Sequence, residues 1–159
     1  MLVDRLGGRM VLRVMAVLSH TGGNLVWLAA GLGLLLGSRA PEHRTRRLGV
    51  RILWIWALTS VLNGLLKAAF RRARPATSLG VRFVSVDQHA FPSGHAMRVG
   101  GLSMALASLL PGWAAVGLWA WSGAVCLSRV LLGLHYVGDV LVGWSAGLLT
   151  GVALRRIVV

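Results

Sequence analysis

The sequence predicts an all-α integral membrane protein, a helical bundle of about five transmembrane segments preceded by an amphipathic interfacial helix. Three observations carry that expectation. Of 159 residues, 56% are hydrophobic and 13% charged, and the mean hydropathy of +0.72 is far above a soluble globular composition. The apolar residues gather in runs approaching membrane length. The arginines flank those runs instead of forming one basic face. No polar stretch is long enough for a separate water-soluble domain, so residues 1–159 read as a single membrane-embedded domain.

Residues 1–18 set Arg5, Arg9 and Arg13 on one helical stripe and Leu2, Leu6, Met10, Val14 and Leu18 on another. That is the pattern of a helix lying at the membrane surface, or of the first turns of a longer membrane helix. A signal peptide is a poorer reading, because Ser19-His20-Thr21 interrupts the apolar stretch and no small-x-small cleavage site closes it. The segment is expected to be retained. Residues 22–38 form the first span; a bilayer needs roughly 20 residues, so it can begin nearer residue 14. Residues 39–51 hold Arg39, Arg44, Arg46, Arg47 and Arg51 behind the breaker Pro41, and read as a polar loop. Residues 52–70 form the second span, with Lys67 near its end. Residues 71–92 are the longest polar connection and include Arg71, Arg72, Arg74, Pro75, Arg82 and Asp87. Residues 93–110, 113–132 and 138–154 form the remaining spans, with a tight turn at Pro111-Gly112. Gly143, Gly147 and Gly151 recur every four residues, with Asp139 on the same stripe, as on a helix face built for close approach.

A net charge of +13 would suggest nucleic acid in a soluble protein. Here the arginines bracket apolar runs, which suits anionic headgroups and topology control, and no nucleic-acid partner is expected. Cys126 is the only cysteine, which excludes an intrachain disulfide and a cysteine metal cluster; it reads as a packing residue. Alternating spans bring the 71–92 connection, the start of the third span and the 129–138 join to one side of the membrane. The 39–51 segment, the Pro111 turn and the C-terminus lie on the other. Arginines outside the motifs are nearly balanced between the sides. The basic 39–51 segment leans the site toward the external face of a bacterial cell membrane.

The residues on that one side suit phosphate chemistry. Lys67 is the only lysine; every other fixed cation is arginine. Lys67 and Arg74 are seven apart, about two helical turns, so both can face one point. Pro75 favours extended backbone at Arg74 and a helix end just before it. Arg129 supplies a planar fork for two oxygens. Fixed cations of this kind stabilise the charge on a phosphoryl group in transfer. Pro92-Ser93-Gly94 reads as a helix start, where Ser93 can cap and the amides of Ser93, Gly94 and His95 can face an anion. His135 and Asp139 are four apart and on a helix would touch, the carboxylate accepting from one ring nitrogen and leaving the other free to attack. Gly133 is the expected turn between Arg129 and His135.

The other polar residues admit plainer accounts. Arg98, one turn beyond His95, can bind a second anionic group; snorkelling or pairing with Asp87 is the plainer account. Arg71 and Arg72 read as interfacial anchors. His20 reads as a polar helix contact or breaker, His43 belongs to the basic segment, and His89 stands near the mouth of the site. Only Asp139 of four acidic residues lies in a motif. That disfavours a carboxylate-metal mechanism, and no metal or other cofactor is expected.

Lys67-x6-Arg74-Pro75, Pro92-Ser93-Gly94-His95 and Ser128-Arg129-x5-His135-x3-Asp139 resemble the three signatures of the type 2 phosphatidic acid phosphatase superfamily, in order and with internal spacings intact. Soluble acid phosphatases and vanadium haloperoxidases share these signatures but are not built from apolar spans. The resemblance implies His135 as the nucleophile that forms a phosphohistidine, His95 as the acid that protonates the leaving oxygen, and Asp139 as the third catalytic residue. Lys67, Arg74, Ser93, Gly94 and Arg129 would bind phosphate. The implied activity is metal-independent removal of a terminal phosphate from a phospholipid or polyprenyl (pyro)phosphate. Residues at helix ends by the headgroup level can reach a lipid phosphate while its tails stay in hydrocarbon. Two alternatives stand beside it. One is a phosphatase or phosphotransferase acting on a soluble phosphate ester. The other is a non-catalytic lipid-phosphate binding protein, which a degraded motif would favour; none is degraded here.

Overall fold

A computed structural model describes residues 8–37, 43–75 and 89–157, all-helical apart from short connections. Among the described residues there are six α-helices: α1 (Gly8–Thr21), α2 (Asn24–Gly37), α3 (His43–Phe70), α4 (Gly94–Leu106), α5 (Gly112–Leu131) and α6 (Val137–Ile157), with a 3-10 turn over Ala107–Leu109. Three of them, over Arg44–Phe70, Gly112–Leu131 and Val137–Ile157, are long and apolar enough to cross a membrane. The expected spans at 22–38 and 93–110 are present as the shorter helices α2 and α4. The first turns of the interfacial helix, Arg39 and Pro41, and Arg82 and Asp87 lie outside the described residues.

α4 is the central helix. It packs against α3, α5 and α6, and most of its side chains are buried. Its polar residues are therefore buried too: Arg98 and Ser103 lie within the bundle. Glycine fixes the tightest contact. A Cβ on Gly143 would stand 2.5 Å from the Ser93 carbonyl oxygen, and one on Gly151 2.8 Å from that of Gly101. From the other side, a Cβ on Gly100 would stand 2.7 Å from the Trp144 carbonyl oxygen. The backbones of α4 and α6 thus touch along the stripe read from the sequence. The far end of the bundle holds an apolar core of Ile52, Ile55, Leu102, Ala105, Leu106 and Leu154, with Trp27, Leu34, Leu48, Leu118 and Trp121 against it. Leu25, Leu36, Trp113, Val116 and Leu149 point outward, as lipid-facing residues do.

Two segments depart from expectation. Residues 43–51 are not a loop but the first turns of α3. Arginine is a good helix former, and these arginines satisfy carbonyls at the end of α4 and beyond. Arg51 Nη1 donates to the Ala105 carbonyl at 2.9 Å, and Arg44 donates to that of Leu109 from Nε at 3.0 Å and Nη2 at 2.6 Å. The Ser19-His20-Thr21 patch is a fastening point inside α1, which runs on to Thr21. The Thr21 hydroxyl accepts Trp121 Nε1 at 2.8 Å, and its carbonyl accepts Trp27 Nε1 at 2.8 Å. Gly22 then allows the corner to press onto the core: a Cβ there would stand 2.8 Å from Val125 Cγ1 and 3.4 Å from the His95 ring.

Candidate active site

The site forms where α3 ends. Arg71 takes a φ of +44° while its amide bonds the Lys67 carbonyl at 3.0 Å, and the chain leaves the helix extended toward Arg74-Pro75. Ala73 pairs with His89 as an antiparallel bridge, and the Ala90 amide donates to the Arg72 carbonyl at 2.8 Å. This clip sets Ala90 against the start of α4. On the far side, α5 reverses through Gly133, at φ +67°, and the Leu134 amide returns to the Arg129 carbonyl at 3.1 Å. Gly133 therefore turns the chain where the sequence placed the turn.

These ends enclose a cavity of about 730 Å³ lined by Lys67, Arg74, Gly94, His95, Arg98, Arg129 and His135. The rest of the wall comes from the α1–α2 corner (His20, Gly23, Asn24, Leu25, Val26) and from α3 (Ser60, Asn63, Gly64). Arg129 Nη1 donates to the Ser19 hydroxyl, and Arg74 Nη1 approaches the Leu134 carbonyl at 3.4 Å. Asn63 Nδ2 donates to the Pro92 carbonyl at 3.0 Å and so braces the start of α4. Among the described residues, no three His, Cys, Asp or Glu side chains gather as metal ligands.

His135 is buried, and its Nδ1 lies 2.7 Å from the Ala90 carbonyl oxygen. A carbonyl only accepts, so Nδ1 carries the proton and Nε2 keeps its lone pair. Burial, reinforced by Arg129 and Arg74, pushes the ring down to about 3, against the upward pull of the Ala90 carbonyl. The ring is therefore neutral and able to attack.

Four expectations need correction. His135 precedes α6 instead of lying on it, and its Nδ1 is 3.9 Å from Asp139 Oδ2. The Ala90 carbonyl, not the carboxylate, orients the ring. Asp139 instead accepts from Arg72 Nη1 at 3.0 Å and from the Tyr136 amide at 2.9 Å, capping the start of α6. Arg72 is consequently no simple interfacial anchor: it pairs with a fully buried carboxylate and stacks 4.5 Å from the Tyr136 ring centroid. Ser93 is fully buried outside the cavity lining, its hydroxyl without a hydrogen-bond partner and its amide given to the Asp139 carbonyl at 3.0 Å. Of the Pro92–His95 motif, Gly94 and His95 face the cavity. His89 does not line it, whereas His20 does.

Sequence reasoning also missed Asn63, although it stands four residues before Lys67 on α3 and so shares its face. Arg72 carried no such signal, because its partner is 67 positions away.

Arg72 holds Ala90 through its backbone and Asp139 through its side chain. Arg72→Gln should lower kcat at this site about tenfold with little change in KM, and Arg72→Lys should recover part of the loss. Steady-state kinetics on the two variants checks this. A purely interfacial arginine would leave kcat unmoved.

A membrane protein that gathers a cluster of cations and two histidines in one cavity presents a site complementary in charge to a phosphate. The family model of the PAP2 superfamily matches residues 48–159, and the chain belongs to that superfamily. It is 27% identical over 137 residues to the undecaprenyl-diphosphatase of Sulfolobus acidocaldarius, a match covering 84% of this chain and 64% of that protein. It is 34% identical over 160 residues to the decaprenylphosphoryl-5-phosphoribose phosphatase of Mycobacterium tuberculosis, covering 94% of this chain and 80% of that one. Its fold is similar to the crystal structure of the PAP2 type phosphatidylglycerolphosphate phosphatase of Bacillus subtilis, with a TM-score of 0.71, 25% identity, and coverage of 95% of this chain and 78% of that one.

Proposed function

We propose that the protein is a membrane lipid phosphatase that removes the terminal phosphate of a phospholipid or polyprenyl (pyro)phosphate, without a metal ion and through a phosphohistidine. The observation that carries this reading is the single cavity in which His95 and His135 face Lys67, Arg74, Arg98 and Arg129 beside the apolar Leu25 and Val26. A phosphate can sit among the cations while its chain passes toward Leu25, which faces outward. His135 Nε2 attacks phosphorus. Lys67, Arg74, Arg129 and the start of α4 at Gly94 hold the phosphoryl oxygens. His95 gives its proton to the leaving oxygen, then takes one from the water that hydrolyses the phosphohistidine. Asp139 works as a positioning residue through the start of α6. Residues 1–159 act as one domain in a bacterial cell membrane, with the site on the external face. The polyprenyl groups in the relatives' names support a lipid substrate.

The test is phosphate release by purified protein in detergent with EDTA present. The panel is phosphatidic acid, phosphatidylglycerophosphate, a polyprenyl diphosphate and a soluble phosphate ester. Lipid-specific release that EDTA leaves intact is expected. Release from the soluble ester alone would favour the alternative substrate class, and abolition by EDTA would overturn the mechanism.

A further inference from the structure

Arg98 lies outside the three signatures, yet it lines the same cavity. It stands one helical turn after His95 on α4 and is 5% exposed. Its Nη1 donates to the Gly22 carbonyl at 3.0 Å, and its Nε is buried with no hydrogen-bond partner. The only acid among the described residues, Asp139, is engaged by Arg72. A guanidinium this deep is unfavourable unless an anion meets it.

The cations divide around the two rings. His135 lies in the field of Arg129, Arg74 and Lys67, and His95 in the field of Arg129, Arg98 and Lys67. Lys67 and Arg129 act on both rings and line the cavity with them. Arg74 belongs to the His135 side and Arg98 to the His95 side. Attack from His135 leaves the departing oxygen at His95, so whatever that oxygen carries lies toward Arg98. In a lipid monophosphate it carries carbon, which gains nothing from a guanidinium. In a diphosphate it carries a second phosphate, which an arginine fork matches.

We propose that Arg98 forms a second anion subsite on the leaving-group side, and that the preferred substrates are lipid diphosphates cleaved between their two phosphates. This rests on the phosphatase reading above. His135 Nε2 bonds to the terminal phosphorus as the bond from phosphorus to the bridging oxygen breaks. That oxygen keeps the electron pair and takes the His95 proton, and a lipid monophosphate departs. Water then attacks the phosphohistidine, gives its proton to His95 and releases inorganic phosphate.

Farnesyl diphosphate and farnesyl monophosphate share one tail and separate the headgroup from the chain. Phosphate release from each is measured for the wild type, Arg98→Met and Arg98→Lys, with inorganic pyrophosphate and phosphate as competing inhibitors. The wild type should favour the diphosphate. Arg98→Met should raise its KM and the pyrophosphate inhibition constant about tenfold or more, against about threefold or less for the monophosphate and for phosphate. Should the methionine variant fail to fold, Arg98→Lys, which keeps the charge and loses the fork, should show a smaller loss in the same direction. Equal losses on both substrates would mean that Arg98 only fastens Gly22, and would overturn the proposal, as would a wild type with no diphosphate preference. If neither lipid is hydrolysed, the phosphatase reading fails. Calorimetric binding of pyrophosphate and phosphate to wild type and Arg98→Met still judges the subsite, which an Arg98-dependent preference for pyrophosphate would uphold and its absence overturn.

Discussion

His135→Gln is expected to lower phosphate release by about 10⁴-fold or more, to the limit of detection. The Nδ1 proton of His135 is committed to the Ala90 carbonyl at 2.7 Å, so Nε2 holds the only lone pair the ring can offer phosphorus. Glutamine can keep a hydrogen bond to that carbonyl but brings no nucleophile. The cations remain, so the variant should still bind phosphate while forming no phosphoenzyme. Rapid quench of the wild type with labelled lipid should trap an acid-labile, alkali-stable phosphoprotein that the variant lacks. A trapped phosphoprotein in the variant would place the nucleophile elsewhere.

The same environment sets a pH dependence. An unfolded histidine titrates near 6.5, and His135 is held down to about 3, chiefly by burial and then by Arg129 and Arg74. As pH falls, the unfolded chain takes up this proton first. The stability tied to the neutral ring is therefore present above 6.5 and lost as pH falls toward 3. Protonation of His135 should likewise cause no loss of kcat/KM between pH 7 and 5. Arg129→Met removes one of the repelling charges and should move the acid limb upward. A pH–rate profile of the two proteins decides it.

What the sequence made legible was whatever repeats or lies close along the chain. The apolar runs located the helices, the four-residue glycine repeat located the close-packing face of α6 but not its partner α4, and Gly133 located the turn before His135. The contacts that build the site are of another kind. The oriented ring depends on the Ala90 carbonyl, a backbone acceptor that every residue possesses and no sequence pattern marks. Arg129 meets Ser19 from 110 positions away, and Arg98 meets the Gly22 carbonyl from 76. For the same reason residues 43–51 read as a loop: the carbonyls that engage Arg44 and Arg51 lie 65 and 54 positions off. A cluster of arginines is a solvated loop or a helix start depending on partners that only the fold supplies.

Gly147→Ala should be the most damaging small substitution outside the cavity. Its Cβ would land on the Met97 carbonyl oxygen and 2.9 Å from the Gly101 amide nitrogen. Both obstacles are backbone, so neither can rotate aside, and α4 and α6 must part. Overpacking of a core costs about 1–3 kcal/mol, and a clash with main chain on two sides belongs at or beyond the top of that range. Gly123, on α5, is the matching control, since a Cβ there meets nothing within 4 Å. Alanine at that position should be neutral or stabilise the helix by about 0.5–1 kcal/mol. Thermal unfolding of both variants in detergent compares them, and equal melting temperatures would show that the stripe is not a tight contact. The consequence reaches the chemistry. α4 carries His95 and Arg98, while the start of α6 carries Asp139, whose carbonyl accepts the Ser93 amide at 3.0 Å. Prising the two helices apart moves one histidine away from the other, so any folded Gly147→Ala protein should also turn over slowly. The glycines let two backbones touch, and that contact sets how far apart the two rings stand.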